Sequence, residues 1–194
     1  MENINGSVDA LAQTISIDKV GAAKSQLKTA LRLFFDDGDE VSQHTLVGAA
    51  HGILQDLCTA KGLKFPDADE RALSLEHSMR QSLLVSKGYA TKVEIAVNDA
   101  KNYFKHADED PESPLSFAFQ TTHLLAFDAV RLLALLDDDV PKELRVFVLW
   151  FQLRYPEYIQ HQPEVAADLA KARTRIGNDR IALKLQCKAI LESE

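Results

Sequence analysis

Three residues of metal-ligand type share one spacing: His44, His51 and Cys58 stand seven apart. On a helix that spacing puts them on one stripe, two turns from each other, with Val47 and Leu54 between. Two ligands on one helix share a metal only when three or four residues apart. A histidine and carboxylate centre would therefore need a ligand from another helix. The same stripe also fits interior-edge side chains whose polar atoms are met by backbone or by acids. A second constellation is Asp99, Asn102 and His106, at i, i+3 and i+7, with Lys101 and Lys105 interleaved. Three polar groups on one face at a helix end could form a site, and His106 with Lys101, Asn102 and Lys105 is the candidate catalytic set. A His or Lys in a last turn also offsets the negative end of its helix. The third feature is Asp128, inside Leu124-Leu125-Ala126-Phe127-Asp128-Ala129-Val130. A carboxylate buried there needs a partner, and Lys105 or His106 from the neighbouring helix is expected, with Arg131 as the local alternative. Asp128, Asp99, His44 and His51 are the candidate binding residues. His123, on a stripe with Phe127 and Val130, reads as a core-edge histidine. No set is complete enough to assign a metal, and no cofactor is expected.

The elements that must position these residues are helices. Residues 1–17 are polar and patternless and read as a flexible arm. Asp18 then precedes Val20, Ala23, Leu27, Ala30, Leu31 and Phe34, a helical period with an N-cap in front of it. Asp36-Asp37-Gly38-Asp39 should end that helix, with Gly38 in the left-handed position. A second helix is expected over 40–61, its apolar face made of Val41, Val47, Ala50, Ile53, Leu54 and Leu57, with Gly62 ending it. The short link predicts an antiparallel hairpin from about 19 to 61. Residues 63–88 read as a turn at Phe65-Pro66-Asp67 and short helical pieces broken at Gly88. A third long helix is expected over 90–106, striped by Val93, Val97, Ala100 and Phe104. A loop over 108–114 follows. The next helix, from Gln120 or Thr121 to Asp137, is apolar almost all round and so belongs at the centre of the core. Pro141 suits the first position of a helix running to about 154. The last region, 163–193, is nicked at Gly177-Asn178 and poorer in large apolar residues. It reads as an extension packing on the bundle's side or on a second subunit. The fold class is thus all-α: one helical domain over 18–194, with 163–194 a peripheral or interface extension.

Composition narrows the function. The chain has 194 residues, 46% hydrophobic and 26% charged, with a formal net charge of -7. Lys and Arg supply most of the affinity for phosphate backbones, and an acidic chain is not built for that. Lys171, Arg173, Arg175, Arg180, Lys184 and Lys188 are the nearest approach to a basic patch, and alternating acids and apolar residues make them a solvated helix face. The two cysteines, Cys58 and Cys187, form no CxxC and read as buried free thiols. Met1 to Asn5 has no signal-peptide pattern, and no apolar run nears the roughly 18 residues of a spanning helix. A cytoplasmic protein without membrane contact is expected. Phosphate-loop, dinucleotide, zinc-protease, calcium-loop and serine-elbow motifs are all absent, as is the Glu-x-x-His pair of di-iron bundles.

Two segments carry a resemblance. Leu27 to Phe35, continuing through His44-Thr45-Leu46-Val47-Gly48-Ala49-Ala50, and Asn102-Tyr103-Phe104-Lys105-His106-Ala107-Asp108, together with Leu149-Trp150-Phe151, resemble a family of uncharacterised bacterial all-helical proteins over roughly 25–155. More loosely, a helical hairpin followed by an Asn-x-x-Lys-His helix end resembles the HEPN superfamily. Its active members are ribonucleases of toxin and defence systems, often dimeric, using an Arg, four to six intervening residues, then a His. Here the residue five before His106 is Lys101. Arg71 to His77 and Arg154 to His161 have the right spacing, the second interrupted by Pro156. The resemblance implies an inactive relative more readily than an active nuclease.

With no catalytic motif in place, the leading expectation is a non-catalytic interaction or ligand-binding protein, self-associating as a homo-oligomer, its partner a protein or small molecule. A HEPN-like ribonuclease acting on nucleic acid, or its inactive relative, and a metal-binding helical bundle are the alternatives.

Overall fold

A computed structural model describes residues 14–63, 87–106, 112–156, 163–177 and 179–193. Within them lie α1 (Lys19–Phe35), α2 (Glu40–Ala60), α3 (Lys87–Tyr103), α4 (Gln120–Leu136), α5 (Lys142–Arg154), α6 (Pro163–Ile176) and α7 (Arg180–Glu192), and no strand. The fold is an all-α bundle. The expected turn at Phe65-Pro66-Asp67 and the helical pieces before Gly88 fall mostly outside the described residues, as do most of the N-terminal arm and the first part of the 108–114 loop.

Local chemistry sets the ends. Asp18 caps α1, its Oδ1 accepting from the Gly21 N–H at 2.6 Å, and Asp39 caps α2 by accepting from Ser42. The end of α1 differs from expectation. Asp37, at φ 52°, takes the left-handed position, and Gly38 does not. The Gly38 N–H reaches the Leu33 carbonyl at 2.8 Å and the Asp37 N–H reaches Phe34, the two bonds of a Schellman motif. Gly38 is needed for space, since a Cβ there would meet Leu33 Cδ2 at 2.9 Å and its carbonyl oxygen at 3.2 Å. Gly62 ends α2 as expected, in the left-handed conformation at φ 62°. Gly88, expected to be a break, lies within α3, which then tightens out of the helix at Phe104-Lys105. Pro141 stands one place earlier than expected, as the N-cap of α5.

α4 is the centre. Every residue from Thr122 to Val130 is buried, and Leu132 and Leu133 are fully so. Each such Leu, Phe or Val contributes about 1.5–3 kcal/mol when removed from water. α1 and α2 pack on each other, and α2 lies along α4. The inward stripe of α2 keeps Val47, Ala50 and Leu54 of the expected apolar face and adds His44, His51 and Cys58, while Val41 is 44% exposed. α5 covers the other side with Phe147, Trp150 and Phe151, and α7 lies on α5 through Leu183 and Cys187. The C-terminal extension therefore packs on the side of its own bundle. No helix among the described residues is long and apolar enough to cross a membrane.

Candidate functional site

The polar stripe of α2 is consumed by the protein itself. His44 is fully buried; its Nε2–H donates to the Val97 carbonyl at 3.3 Å, so Nδ1 accepts from the Thr122 hydroxyl at 2.9 Å. Burial holds this ring below the usual histidine range, the Val97 carbonyl opposing and Lys101 adding to it. His51 Nε2 lies 2.9 Å from Asp128 Oδ2, both side chains buried. Arg131 Nη1 stands 3.8 Å from the other carboxylate oxygen. The partner of Asp128 is thus His51, not Lys105 or His106; the local alternative, Arg131, contributes the longer contact. Cys58 donates to the Leu132 carbonyl, and burial pushes its thiol up to about 11. Among the described residues no group of three or more His, Cys, Asp or Glu is arranged to hold a metal ion.

The structure divides the candidate catalytic set. Lys101 lies over α2 where glycines leave room: a Cβ on Gly48 would touch its Cγ at 3.5 Å, and one on Gly52 its Nζ at 3.5 Å. It faces a concavity of only about 50 Å³ beside His51 and Asn98. Burial holds its ammonium below the usual range, Lys105 adding and Asp56 opposing. Asp99, Asn102, Lys105 and His106 are exposed on the outer side of α3 and the turn beyond it. Neither Arg71 nor His77 lies among the described residues, and neither does His161.

A concavity of about 430 Å³ opens elsewhere, between the end of α1, the start of α4, the end of α5 and α7. Its wall is aromatic. Phe34 meets Trp150 edge-on at 4.6 Å and His123 at 5.2 Å, and His123 meets Trp150 at 5.0 Å and Phe119 at 5.9 Å. His123 Nδ1 lies 3.1 Å from the Tyr155 hydroxyl. Burial, then Lys184, then Arg154, pull His123 down to about 3, so the ring is neutral at ordinary pH. Lys184 sits 4.5 Å above the Phe34 ring and pairs with Asp37. Arg154 stacks on Tyr155 at 4.6 Å. Trp150 is 5% exposed, and its Nε1 is buried without a hydrogen-bond partner among the described residues. Exposed Ile181 and Leu185 of α7 form the outer lip.

Pockets of 300–1,000 Å³ with aromatic walls and a few polar groups are the usual form of small-molecule sites, and this one meets that description. None of its residues stood among the sequence-derived candidates. Trp150 and Phe34 read as core and His123 as core edge. Only their convergence, from α1, α4 and α5, makes a cleft. The one sequence signal was the density of aromatic residues at helix ends: Phe34-Phe35, Phe117, Phe119, Trp150-Phe151 and Tyr155.

Comparison of the chain with protein-family models, with curated proteins and with solved structures found no match. The resemblance of residues 25–155 to a bacterial helical family, and the looser one to HEPN proteins, thus has no match behind it, and what the chain shares with either is an all-helical fold.

Proposed function

We propose that this chain is a non-catalytic helical binding protein that holds a small organic ligand in the aromatic cleft between α1, α4, α5 and α7. The observation that carries the reading is the convergence of Phe34, Phe119, His123 and Trp150 on one concavity of about 430 Å³, the aromatic-walled form that small-molecule sites take. The chain has one tryptophan, so the labelled protein gives one indole N–H signal to watch. Small aromatic fragments are expected to shift it, and to do so less in Phe119→Ala. A fragment library that leaves the signal in place sinks the reading. We further expect the exposed Val165 of α6 and Ile190 of α7 to support self-association; a monomer at all concentrations in light scattering removes that part.

A second reading follows the HEPN resemblance. His106 is exposed beside Lys105 and Asn102 at one helix end, where a nucleic-acid backbone could reach them. Degradation of mixed-sequence RNA, lost in His106→Ala, is the expected result. RNA left intact by both proteins ends this reading.

A further inference from the structure

We infer that the ligand class of the cleft is a planar aromatic carboxylate, its ring set among Phe34, Phe119 and Trp150 and its carboxylate turned to Arg154. The inference rests on the cleft being a ligand site at all, as proposed above.

Arg154 and Lys184 are the cations of the wall. Arg154 has no carboxylate within ion-pair distance among the described residues. Its guanidinium is the one cation of the wall whose charge is not already met, since Lys184 pairs with Asp37.

Charge points the same way. Arg154 lies close enough to His123 to oppose its protonation, and unlike Lys184 it has no acid beside it among the described residues. Asp37 and Glu40 also line the concavity but are exposed, where water screens them. Phe119 and Gln120, at the start of α4, border the cleft, and no side chain caps that helix. Its first N–H groups add positive potential at the same edge. A site with aromatic walls and a guanidinium that no carboxylate of the described residues meets selects an anion with a flat apolar body. A cation would meet Arg154 as a like charge, and a neutral alcohol would use the walls without the charge.

The test uses three ligands of one shape: 2-naphthoate, 2-naphthylmethanol and 2-naphthylmethylamine, each titrated into the full chain at pH 7 while the Trp150 indole signal is followed. The acid is expected to bind about tenfold tighter than the alcohol, the worth of one charge-assisted hydrogen bond, and the amine weakest. Arg154→Gln should bring the acid to the level of the alcohol. Arg154→Lys, which keeps the charge, should retain most of the preference and shows that any loss in the glutamine variant is not misfolding. An alcohol or amine that binds as well as the acid overturns the carboxylate inference and leaves the cleft reading standing. If none of the three moves the signal, the cleft reading falls and takes this inference with it.

Discussion

Asp128 shows what a single residue can disclose. A carboxylate in so apolar a helix needs a partner, and that much was legible from its neighbours. Which partner was not, because His51 stands 77 residues away and the choice depends on how α2 rolls against α4. The inward stripe of α2 carries two histidines and a cysteine, while Val41 faces water. Removing one member of a buried pair leaves the other unpaired, at about 3–5 kcal/mol. Asp128→Ala and His51→Ala should each lower the urea midpoint by that scale, and His51→Leu with Asp128→Leu should lose less than the two single losses summed. Strict additivity would mean that the pair does not act as one. His123 yields a prediction with a sign. Its folded pKa of about 3 lies below the ordinary 6.5, so below pH 6.5 the unfolded chain takes a proton that the fold refuses. Stability is unaffected above 6.5 and is lost as pH falls, by roughly 1.4 kcal/mol per unit. The partners are Tyr155 by hydrogen bond and Lys184 and Arg154 by charge, none of which favours the imidazolium. Between pH 7 and 5 the loss should be roughly 2 kcal/mol, with buried His44 adding in the same direction. His123→Phe should flatten that slope in urea titrations at the two pH values. A variant as pH-sensitive as the parent would place the effect elsewhere.

Elements were the most legible scale, since their ends are written in short-range chemistry. Asp18 as the cap of α1, Gly62 as the end of α2 and the nick at Gly177 all follow from residue type at a boundary. The exceptions are instructive. Gly38 was given the left-handed position that Asp37 holds, because a glycine one residue further on serves a different need: the close approach of its backbone to Leu33. The two glycines should therefore fail differently. Gly62→Ala has open space around the new Cβ, so its cost is the left-handed backbone alone, about 1–2 kcal/mol. Gly38→Ala meets a side chain that can move and a carbonyl that cannot. Leu33→Ala should recover only part of its loss of urea stability, since the carbonyl contact remains. Full recovery would show that the side-chain clash was the whole effect. Gly88 misled because burial of Ala90, Val93 and Val97 holds α3 in place around it.

At the scale of the whole molecule, the all-helical class followed from periodicity, and the cleft did not. Phe34, His123, Trp150, Arg154 and Lys184 each sit sensibly in their own helix, and nothing in their spacing brings them together. The same long-range packing decides how firmly the last helices are held. α7 is tied to the bundle by buried Leu183 and Cys187, and by Lys184 and Lys188 reaching Asp37 and Asp36 at the end of α1. Exposed ion pairs contribute about 0–1 kcal/mol each, and two apolar side chains about 1.5–3 kcal/mol each. That sum is a few kcal/mol, well short of what holds α2 to α4. The two thiols report the difference directly. Cys187 lies under α7 and Cys58 under the central helix pair, each nearly inaccessible and each pushed by burial up to about 11. Neither reacts until its surroundings open, so a chromogenic disulfide reagent under native conditions reads two local stabilities. Cys187 should be labelled well before Cys58. Leu183→Ala should speed Cys187 further, by the roughly 2–5 kcal/mol of a large-to-small core change, and leave the Cys58 rate where it was. Equal rates for the two thiols in the parent chain would mean that α7 opens only with the whole bundle. The outer wall of the cleft would then be as fixed as its floor, and a ligand there would add to global stability instead of to the hold of α7 alone.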